Sequence, residues 1–441
     1  MVQNSSEAMW DVVVIGAGAA GLTASIYLAK AGKSVLLVDR ASQIGGRAAT
    51  TEMAAARVNL GPHALYRSAL PILHEVGVKP QGASAKPPGM FLFRDANGKN
   101  KTVPLVQLLL GSFLAFQEKV ELIRFYSRIR KEDTSTLHNV SLSSYLDSRI
   151  ASPRVRSIVG ALVRVSTYSE APDRISAGAV IEQLKQAQVM YVNGGWQSIV
   201  NDLAEQARQA GVSIRTSTSV QEIAGSRPNM AVTFKDGTIA NARHVISTAG
   251  PANTMSYLNP APSREEEAVY QQLIPIQAAC LDLVVSGMPR PKVKFVLGAD
   301  YPLYYSNHSA GATLTDNPSH SVIHVMKYLT PGERTDARKD EQELNNFLDE
   351  IQPGWRKYVI EKRFLPHMTV SHGLVTAATG GLPNRPGAAV ESRPGLYVIG
   401  DWVGSEGMLL NASLISAKEA ASHILAGNKQ DKGEEGIYRG A

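Results

Sequence analysis

The sequence predicts an α/β protein whose parallel sheet is assembled from three separated stretches of chain, with a mixed α+β region formed by the insertions between them. Residues 11–15, Asp-Val-Val-Val-Ile, are an almost continuous apolar run. The small-residue turn Gly16-Ala17-Gly18-Ala19-Ala20-Gly21 follows it directly. The same strand-and-helix alternation then returns at Met190 and once more at Gly395.

An unbroken apolar run suits a strand buried on both faces of a parallel sheet. The glycine turn leads into a helix from Leu22 to Lys30, which Gly32 stops, and Ser34 to Val38 is the next apolar strand, ending on Asp39. Strand, helix and strand thus fit within about 30 residues. They lie in a first segment, 1–78. From 79 to 189 the pattern turns helical: Pro80, Pro87 and Pro88 precede Leu105–Arg130 and Ile175–Gln188, strand signals are few, and a helical insertion facing substrate or membrane is expected. Segment 190–264 resumes the alternation. It has Gly194-Gly195, a helix over Gln197–Ala210, a strand over Ser213–Thr216, an exit at Ser219-Val220 and a strand Met230–Phe234 turned at Asp236-Gly237. Segment 265–370 mixes strands Ala278–Val285 and Ser321–Lys327 with the charged helix Asp336–Ile351, and is expected to join the insertion in a substrate-facing unit. Segment 371–427 brings the first pattern back at Gly395–Leu425, and 428–441 is a polar tail expected to be irregular.

At 441 residues the chain exceeds one ordinary core, and 44% hydrophobic with 19% charged residues describes a globular protein. No run reaches the roughly 18 apolar residues of a membrane span; Leu105–Phe116 comes nearest, but is short and contains Gln107 and Ser112. Met1–Ala8 lacks the basic segment of a secretory signal, so a cytoplasmic location is expected. A single cysteine, Cys280, excludes an intrachain disulfide and a multi-cysteine metal site, and its neighbours Ala278, Ala279 and Leu281 describe a packed thiol. The net charge of +6 is mild. The densest basic group, Arg124–Lys131, is followed at once by Glu132 and Asp133. A solvated helix end is its plain reading, peripheral attraction to an anionic membrane the second, and no nucleic-acid partner is expected.

Each glycine of the first turn has a task. Gly16 permits the tight turn, Gly18 lets backbone approach a pyrophosphate, and Gly21 allows close helix–strand packing, with the phosphates at the helix start near Ala19 and Ala20. Asp39 stands 18 residues after Gly21, where a carboxylate accepts both ribose hydroxyls of an adenosine and disfavours a 2′-phosphate. A dinucleotide cofactor follows. Gly45-Gly46-Arg47 offers backbone access and a cation for its diphosphate. Far downstream, Gly400-Asp401 ends an apolar strand, where a carboxylate suits a ribityl hydroxyl that NAD lacks. Leu409-Leu410-Asn411 opens a helix whose free N–H groups would face a flavin pyrimidine carbonyl. These features select FAD.

With those residues in place, the chain resembles the flavin oxidoreductase superfamily of phytoene desaturase, protoporphyrinogen oxidase and monoamine oxidase, phytoene-desaturase-like proteins above all. The resemblance rests on the Gly16–Gly21 turn, Asp39-Arg40, Gly45-Gly46-Arg47 and Asn59-Leu60-Gly61-Pro62-His63. It extends through Gly194-Gly195, Val220 and Gly400-Asp401-Trp402 with Ala412–Ala421. It implies a Rossmann-type, glutathione-reductase-like FAD-binding domain made of 1–78, 190–264 and 371–427. It also implies that Asp39 binds the adenosine ribose, Arg47 lies near the pyrophosphate, Val220 meets adenine through its backbone, and Gly61-Pro62-His63 pass close to the isoalloxazine. Two departures stand out: Asn59 where relatives often carry Asp, and Asp39 where Glu is commoner. No cysteine lies between Trp402 and Asn411 to tether the flavin as in monoamine oxidases, so non-covalent FAD is expected.

In such a protein the flavin carries the redox chemistry and the chain positions and tunes it. His63 is the leading candidate for a proton-handling group beside the ring, against a plain reading as a loop histidine. Tyr66 would line the same region or simply pack. Lys327 is a third candidate, because some amine oxidases keep a lysine beside the flavin. Strand alternation, however, sets His324, Met326 and Tyr328 on one face and Ile323, Val325 and Lys327 on the other, and a solvent-facing lysine is the commoner outcome. His308, His320, His367 and His372 lack ligand spacing, so no metal is expected. The apolar stretch Leu105–Phe116 reads as helix packing or as a greasy mouth admitting a lipid-like substrate. The expected function is hydride transfer between a small hydrophobic substrate, isoprenoid or polyene-like, and flavin. A flavin amine oxidase and a non-catalytic lipid or protein carrier, as in Rab GDP-dissociation inhibitors, are the alternatives. No second G-x-G-x-x-G is present for NAD(P), so another acceptor completes the cycle.

Overall fold

Val12–Ile15 pair on both sides with other apolar strands, as their unbroken hydrophobicity requires. The computed structural model describes residues 9–61, 63–84, 89–94 and 99–438, and beyond 427 the backbone alone. In chain order, β1 (Trp10–Ile15), α1 (Ala19–Lys30) and β2 (Val35–Val38) are followed by the hairpin β3 (Thr50–Met53) and β4 (Ala56–Asn59). Next come β5 (Gly89–Arg94), β6 (Asn100–Pro104), α2 (Leu105–Leu110), α3 (Phe116–Ile129) and α4 (Pro153–Thr167). Helix α5 (Trp196–Gln209) precedes β7 (Ser213–Arg215), β8 (Val220–Ser226), β9 (Asn229–Phe234), β10 (Ile239–Ser247) and β11 (Leu258–Asn259). Then follow β12 (Ile276–Val285), β13 (Phe295–Gly298), β14 (Leu303–Asn307), β15 (Ser321–Tyr328), α6 (Ala337–Ile351) and β16 (Val359–Ser371). The chain closes with β17 (Leu396–Val398) and α7 (Leu409–Tyr438).

Two sheets organise these elements. The first runs β7-β2-β1-β10-β9-β8-β11, with β17 added beside β10. Its β7, β2, β1, β10 and β17 are parallel to their neighbours, whereas β8-β9-β10 form an antiparallel meander. Helices α1, α5 and α7 cover it, and the small residues of α1 (Ala19, Ala20, Gly21, Ala24, all buried) let it pack closely on its neighbours. The second sheet runs β16-β12-β15-β14-β13-β5-β6. One face packs Leu281, Leu283, Ile323 and Val325 against Leu344, Phe347 and Leu348 of α6. The opposite face packs Ala278, Cys280, Tyr304 and Met326 in one core with Val155, Ile158, Val159 and Val163 of α4.

Most expected elements recur with ends moved by one or two residues, and three expectations need correction. The long helical pattern Leu105–Arg130 divides into α2 and α3 at Gly111, where a Cβ would stand 2.7 Å from the Gln107 carbonyl. The 79–189 stretch is not purely helical: β5 and β6 complete the second sheet, and β5 presents Phe91, Leu92 and Phe93 to its cores. The polar tail is helical as far as Tyr438, because extending an existing helix needs no new nucleus.

Candidate cofactor cleft and active site

The parallel strands β1, β2, β10 and β17 end at Ile15, Val38, Ser247 and Val398, and residues at or just beyond those ends border a long cleft partly open to solvent. A cleft at the carboxyl edge of a parallel sheet is where this architecture binds ligands. Gly16, with φ +103°, turns the chain out of β1, and a Cβ there would lie 2.0 Å from Thr248 Oγ1. A Cβ on Gly21 would stand 2.0 Å from the Gly16 carbonyl, so that glycine serves helix–strand packing and does not border the cleft. Gly18 and Gly46 differ from both. Their nearest protein atoms would be 3.7 and 3.9 Å from a Cβ, and both face the cleft. Packing demands glycine at neither, but the φ of +55° at Gly46 favours it there, so Gly18 is the one kept for the cleft alone. A backbone surface stripped of side chains, beside the unpaired N–H groups that open α1 at Ala19 and Ala20, fits a diphosphate.

Asp39 follows β2 and lines the cleft with Arg40 and Val220. Its Oδ2 accepts from Ala17 N–H at 2.7 Å and its Oδ1 from Ala41 N–H at 2.8 Å, so the carboxylate is tied to the glycine turn itself. Each oxygen retains accepting capacity. Asparagine at 59 keeps the contacts its position needs: Oδ1 accepts from Thr50 Oγ1 at 2.8 Å and from the Trp196 N–H that opens α5 at 3.0 Å.

Arg47 and Asp401, 354 residues apart, meet in the cleft with Nη1 donating to Oδ2 at 2.6 Å and to the Val370 carbonyl at 2.9 Å. Arg47 remains 39% exposed, whereas Asp401 is 3% exposed. Burial pushes the Asp401 carboxyl up, but the Arg47 guanidinium more than offsets this and holds it below the usual carboxylate range. Arg385 staples the loop that carries Asp401, donating to the carbonyls of Gly404 (2.7 Å), Asp401 (3.2 Å) and Glu406 (2.8 Å); burial lowers its pKa to about 10. Beyond it, Gly400, Leu409 and Leu410 complete this wall at the start of α7. Tyr66, Tyr168 and Trp196 line the same cleft. The Tyr66 hydroxyl donates to the Ser166 carbonyl at 3.1 Å, and burial pushes its pKa up to about 12.

Three expected site residues sit elsewhere. Lys327 does not reach the cleft: on the outward face of β15 its Nζ binds Asp340 Oδ1 (2.8 Å) and Glu343 Oε2 (2.7 Å) of α6. Asn411 turns its amide to Ser68 and Gln186 instead of the cleft. His63 is 5% exposed and lies behind the wall, its ring 4.7 Å from that of His324 and 4.8 Å from that of His308. Pro62 falls outside the described residues. Sequence reading missed Thr248 and Ala249, which follow β10 as Gly16 follows β1, and also Tyr168 and His372. The short apolar pair Val245-Ile246 running into the small residues Ser247-Thr248-Ala249-Gly250 was the available signal for Thr248 and Ala249.

A model of the flavin containing amine oxidoreductases matches residues 19–425. The chain belongs to that family. Its cofactor is therefore FAD and its chemistry that of an FAD-dependent oxidoreductase. It is 45% identical over 75 residues to a component of the limonene dehydrogenase of Castellaniella defragrans, 16% of this chain and 13% of that one. It is 24% identical over 291 residues to the 4,4'-diaponeurosporene oxygenase of Staphylococcus aureus, 56% of this chain and 57% of that one. The matches thus span 13% to 57% of the length of these curated relatives. An oxidoreductase from Methanosarcina mazei shares the fold with a TM-score of 0.76 at 19% identity, covering 93% of this chain and 99% of that one. Putrescine oxidase with bound putrescine shares it with a TM-score of 0.74 at 15% identity, covering 95% and 99%.

Proposed function

We propose that this chain is a dehydrogenase, desaturase or oxidase that removes or adds hydride on a hydrophobic, isoprenoid or polyene-like substrate, using non-covalent FAD held by 1–78, 190–264 and 371–427. The carrying observation is the aromatic part of the cleft lining, Tyr66, Tyr168 and Trp196 with Leu409, while the charged groups Arg47 and Asp401 that also line the cleft bind each other. A neutral substrate can lie on such surfaces without stranding a charge. A cationic amine would find Asp401 already paired with Arg47, and Lys327, the residue an amine oxidase reading calls for, is engaged on the far side of β15. The names of the terpene and carotenoid relatives support the same substrate class.

In this reading FAD supplies the hydride acceptor, and the chain supplies its seat. Gly16, Gly18, Ala19 and Ala20 receive the pyrophosphate on backbone, Asp39 with Arg40 the adenosine ribose, and Val220 the adenine. Gly45, Gly46 and Arg47 flank the diphosphate, Gly61 leaves room beside the isoalloxazine, and Asp401 takes a ribityl hydroxyl. Leu409 and Leu410 present the N–H groups of α7 to the pyrimidine edge. Cys280, the one cysteine, is buried in β12 and does not line the cleft, so it offers no cysteinyl tether, and denaturation should release the flavin intact. Substrate entry from a membrane surface fits the exposed face of α2 and α3, where Leu110 and Phe116 are 83% and 79% exposed beside Arg124 and Arg128. No helix among the described residues is long and apolar enough to cross a membrane.

The test is anaerobic mixing of the FAD-loaded protein with isoprenoid extracts and with amines. Isoprenoids should bleach the flavin, in wild type and in Lys327→Met alike. Bleaching by amines alone, abolished in Lys327→Met, contradicts the proposal.

A further inference from the structure

Behind the aromatic wall the second sheet carries a polar row that the seat just described does not use. Arg363 of β16 pairs across the sheet with Asp282 of β12, Asp282 with His324 of β15, and His324 with Ser306 of β14. Cross-strand partners point to one face, so four side chains from four strands form a single line. His324 Nδ1 lies 2.6 Å from Asp282 Oδ1, and Arg363 Nε donates to Asp282 Oδ2 at 2.9 Å. Arg363 is itself held by Thr51 Oγ1 and by the Asn59 carbonyl. Asp282 and His324 are each 1% exposed.

An imidazole whose Nδ1–H donates to a fixed carboxylate presents the lone pair of Nε2 as an acceptor. His324 Nε2 has no partner among the described residues, and neither do His63 Nδ1 and both nitrogens of His308. The three rings touch, with centroids 4.1 to 4.8 Å apart. No group of His, Cys, Asp or Glu among the described residues is arranged to hold a metal ion. Four buried ring nitrogens without partners are costly, and sites of that kind persist where they serve a purpose.

The surroundings favour one place for a proton. Burial, with His324 adding to it, pushes His63 down to about 3 and His308 well below its ordinary value, so both are neutral near pH 7. Tyr304 and Tyr168 face the cluster with phenols that burial pushes up, Tyr328, likewise raised, packs against Tyr168, Tyr191 adds a ring against His308, and burial raises the Cys280 thiol in the next row. Asp282 and Arg363 balance each other. His324 is the one ring with a carboxylate to receive its charged form. The cluster also adjoins the cleft: the Tyr168 ring, which lines it, stands edge-on to His63 at 6.2 Å, and His63 is followed by Ala64, another lining residue.

We infer that His324, fixed by Asp282 and Arg363 and packed against His63, is a redox-linked protonation site. When two electrons enter the cofactor in the cleft, His324 Nε2 gains one proton from solvent; when they leave, the N–H bond breaks and that proton returns. The electrons come from substrate in turnover, or from an added reductant in its absence. A unit negative charge about 10 Å away, across an effective dielectric near 20, raises a base's proton affinity roughly tenfold. Asp282, Arg363 and His63 are positioning residues for this exchange.

The inference rests on FAD binding and not on the substrate class, so its test uses no substrate. The midpoint potential of the FAD-loaded protein is measured against redox dyes across pH, for wild type and His324→Gln. One extra proton per two electrons steepens the wild-type line by about 30 mV per pH unit over the window where His324 changes state. His324→Gln should lose that added slope. In parallel, nitrogen NMR of ¹⁵N-histidine-labelled wild type follows the His324 ring in the oxidised and dithionite-reduced protein, which decides the matter even if the variant fails to hold FAD. Superimposable potential lines, or His324 nitrogens unchanged on reduction, overturn the inference.

Discussion

The two sheets meet their tasks by opposite means. Along the carboxyl edge of the first, recognition is built from what is missing: Gly18 leaves bare backbone where no protein atom demands it. Across the second, it is built from what is added: a carboxylate, a guanidinium and an imidazole are stacked by strand register in an interior that is otherwise apolar. The first strategy tolerates nothing larger than hydrogen. The second tolerates no loss of a partner.

The largest effect should come from Gly21→Val, which drives a side chain into the Gly16 carbonyl. Loss of more than about 3 kcal/mol and failure to retain flavin are expected, read by urea denaturation and absorbance. Gly18→Ala has room in the protein, so it should fold with near-native stability yet bind FAD at least roughly tenfold more weakly. If Gly18→Ala unfolds the protein while Gly21→Val leaves it intact, the distinction between packing glycines and cleft glycines fails.

The second sheet should be the acid-sensitive region. His63 and His308 have folded-state pKa values below the unfolded value near 6.5, so below pH 6.5 the unfolded chain binds more protons. Stability is therefore full above about pH 6.5 and falls as pH drops toward 3, by about 1.4 kcal/mol per pH unit for each such group. His63→Gln should flatten that slope in urea titrations from pH 7 to 4; an unchanged slope would remove His63 from the account. Asp282→Asn leaves the Arg363 guanidinium without its carboxylate and should cost about 3–5 kcal/mol at neutral pH.

These contrasts also explain what could be read from the chain alone. Gly16–Gly21, Asp39 and Gly400-Asp401 were legible because each is a local signature: an apolar strand, then small residues or an acid at its end. The Arg363–Asp282–His324 row was not, because its members lie 81 and 42 residues apart and only cross-strand register brings them into line. Alternation did place Lys327 opposite His324, but nothing local announced that Asp340 of α6 would arrive to bind it. Asn411 was read as a backbone N–H donor from its place at a helix start; where its side chain turns, toward Ser68 and Gln186, had no local signal.

The smallest effect separates the faces of β15. Lys327→Met removes the partner of the buried Asp340 and should cost roughly 1–3 kcal/mol while leaving the flavin spectrum and its reduction unchanged. A perturbed flavin spectrum would put Lys327 back at the active site.

The central claim is that three distant stretches of chain converge on one flavin, and hydrogen exchange on the apoprotein with and without added FAD tests it most directly. Slowed exchange is predicted together in 16–21, 39–47, 218–220 and 400–410, with strands 276–285 and 321–328 already protected before FAD is added. Protection confined to 16–21, with 400–410 exchanging as before, would contradict it.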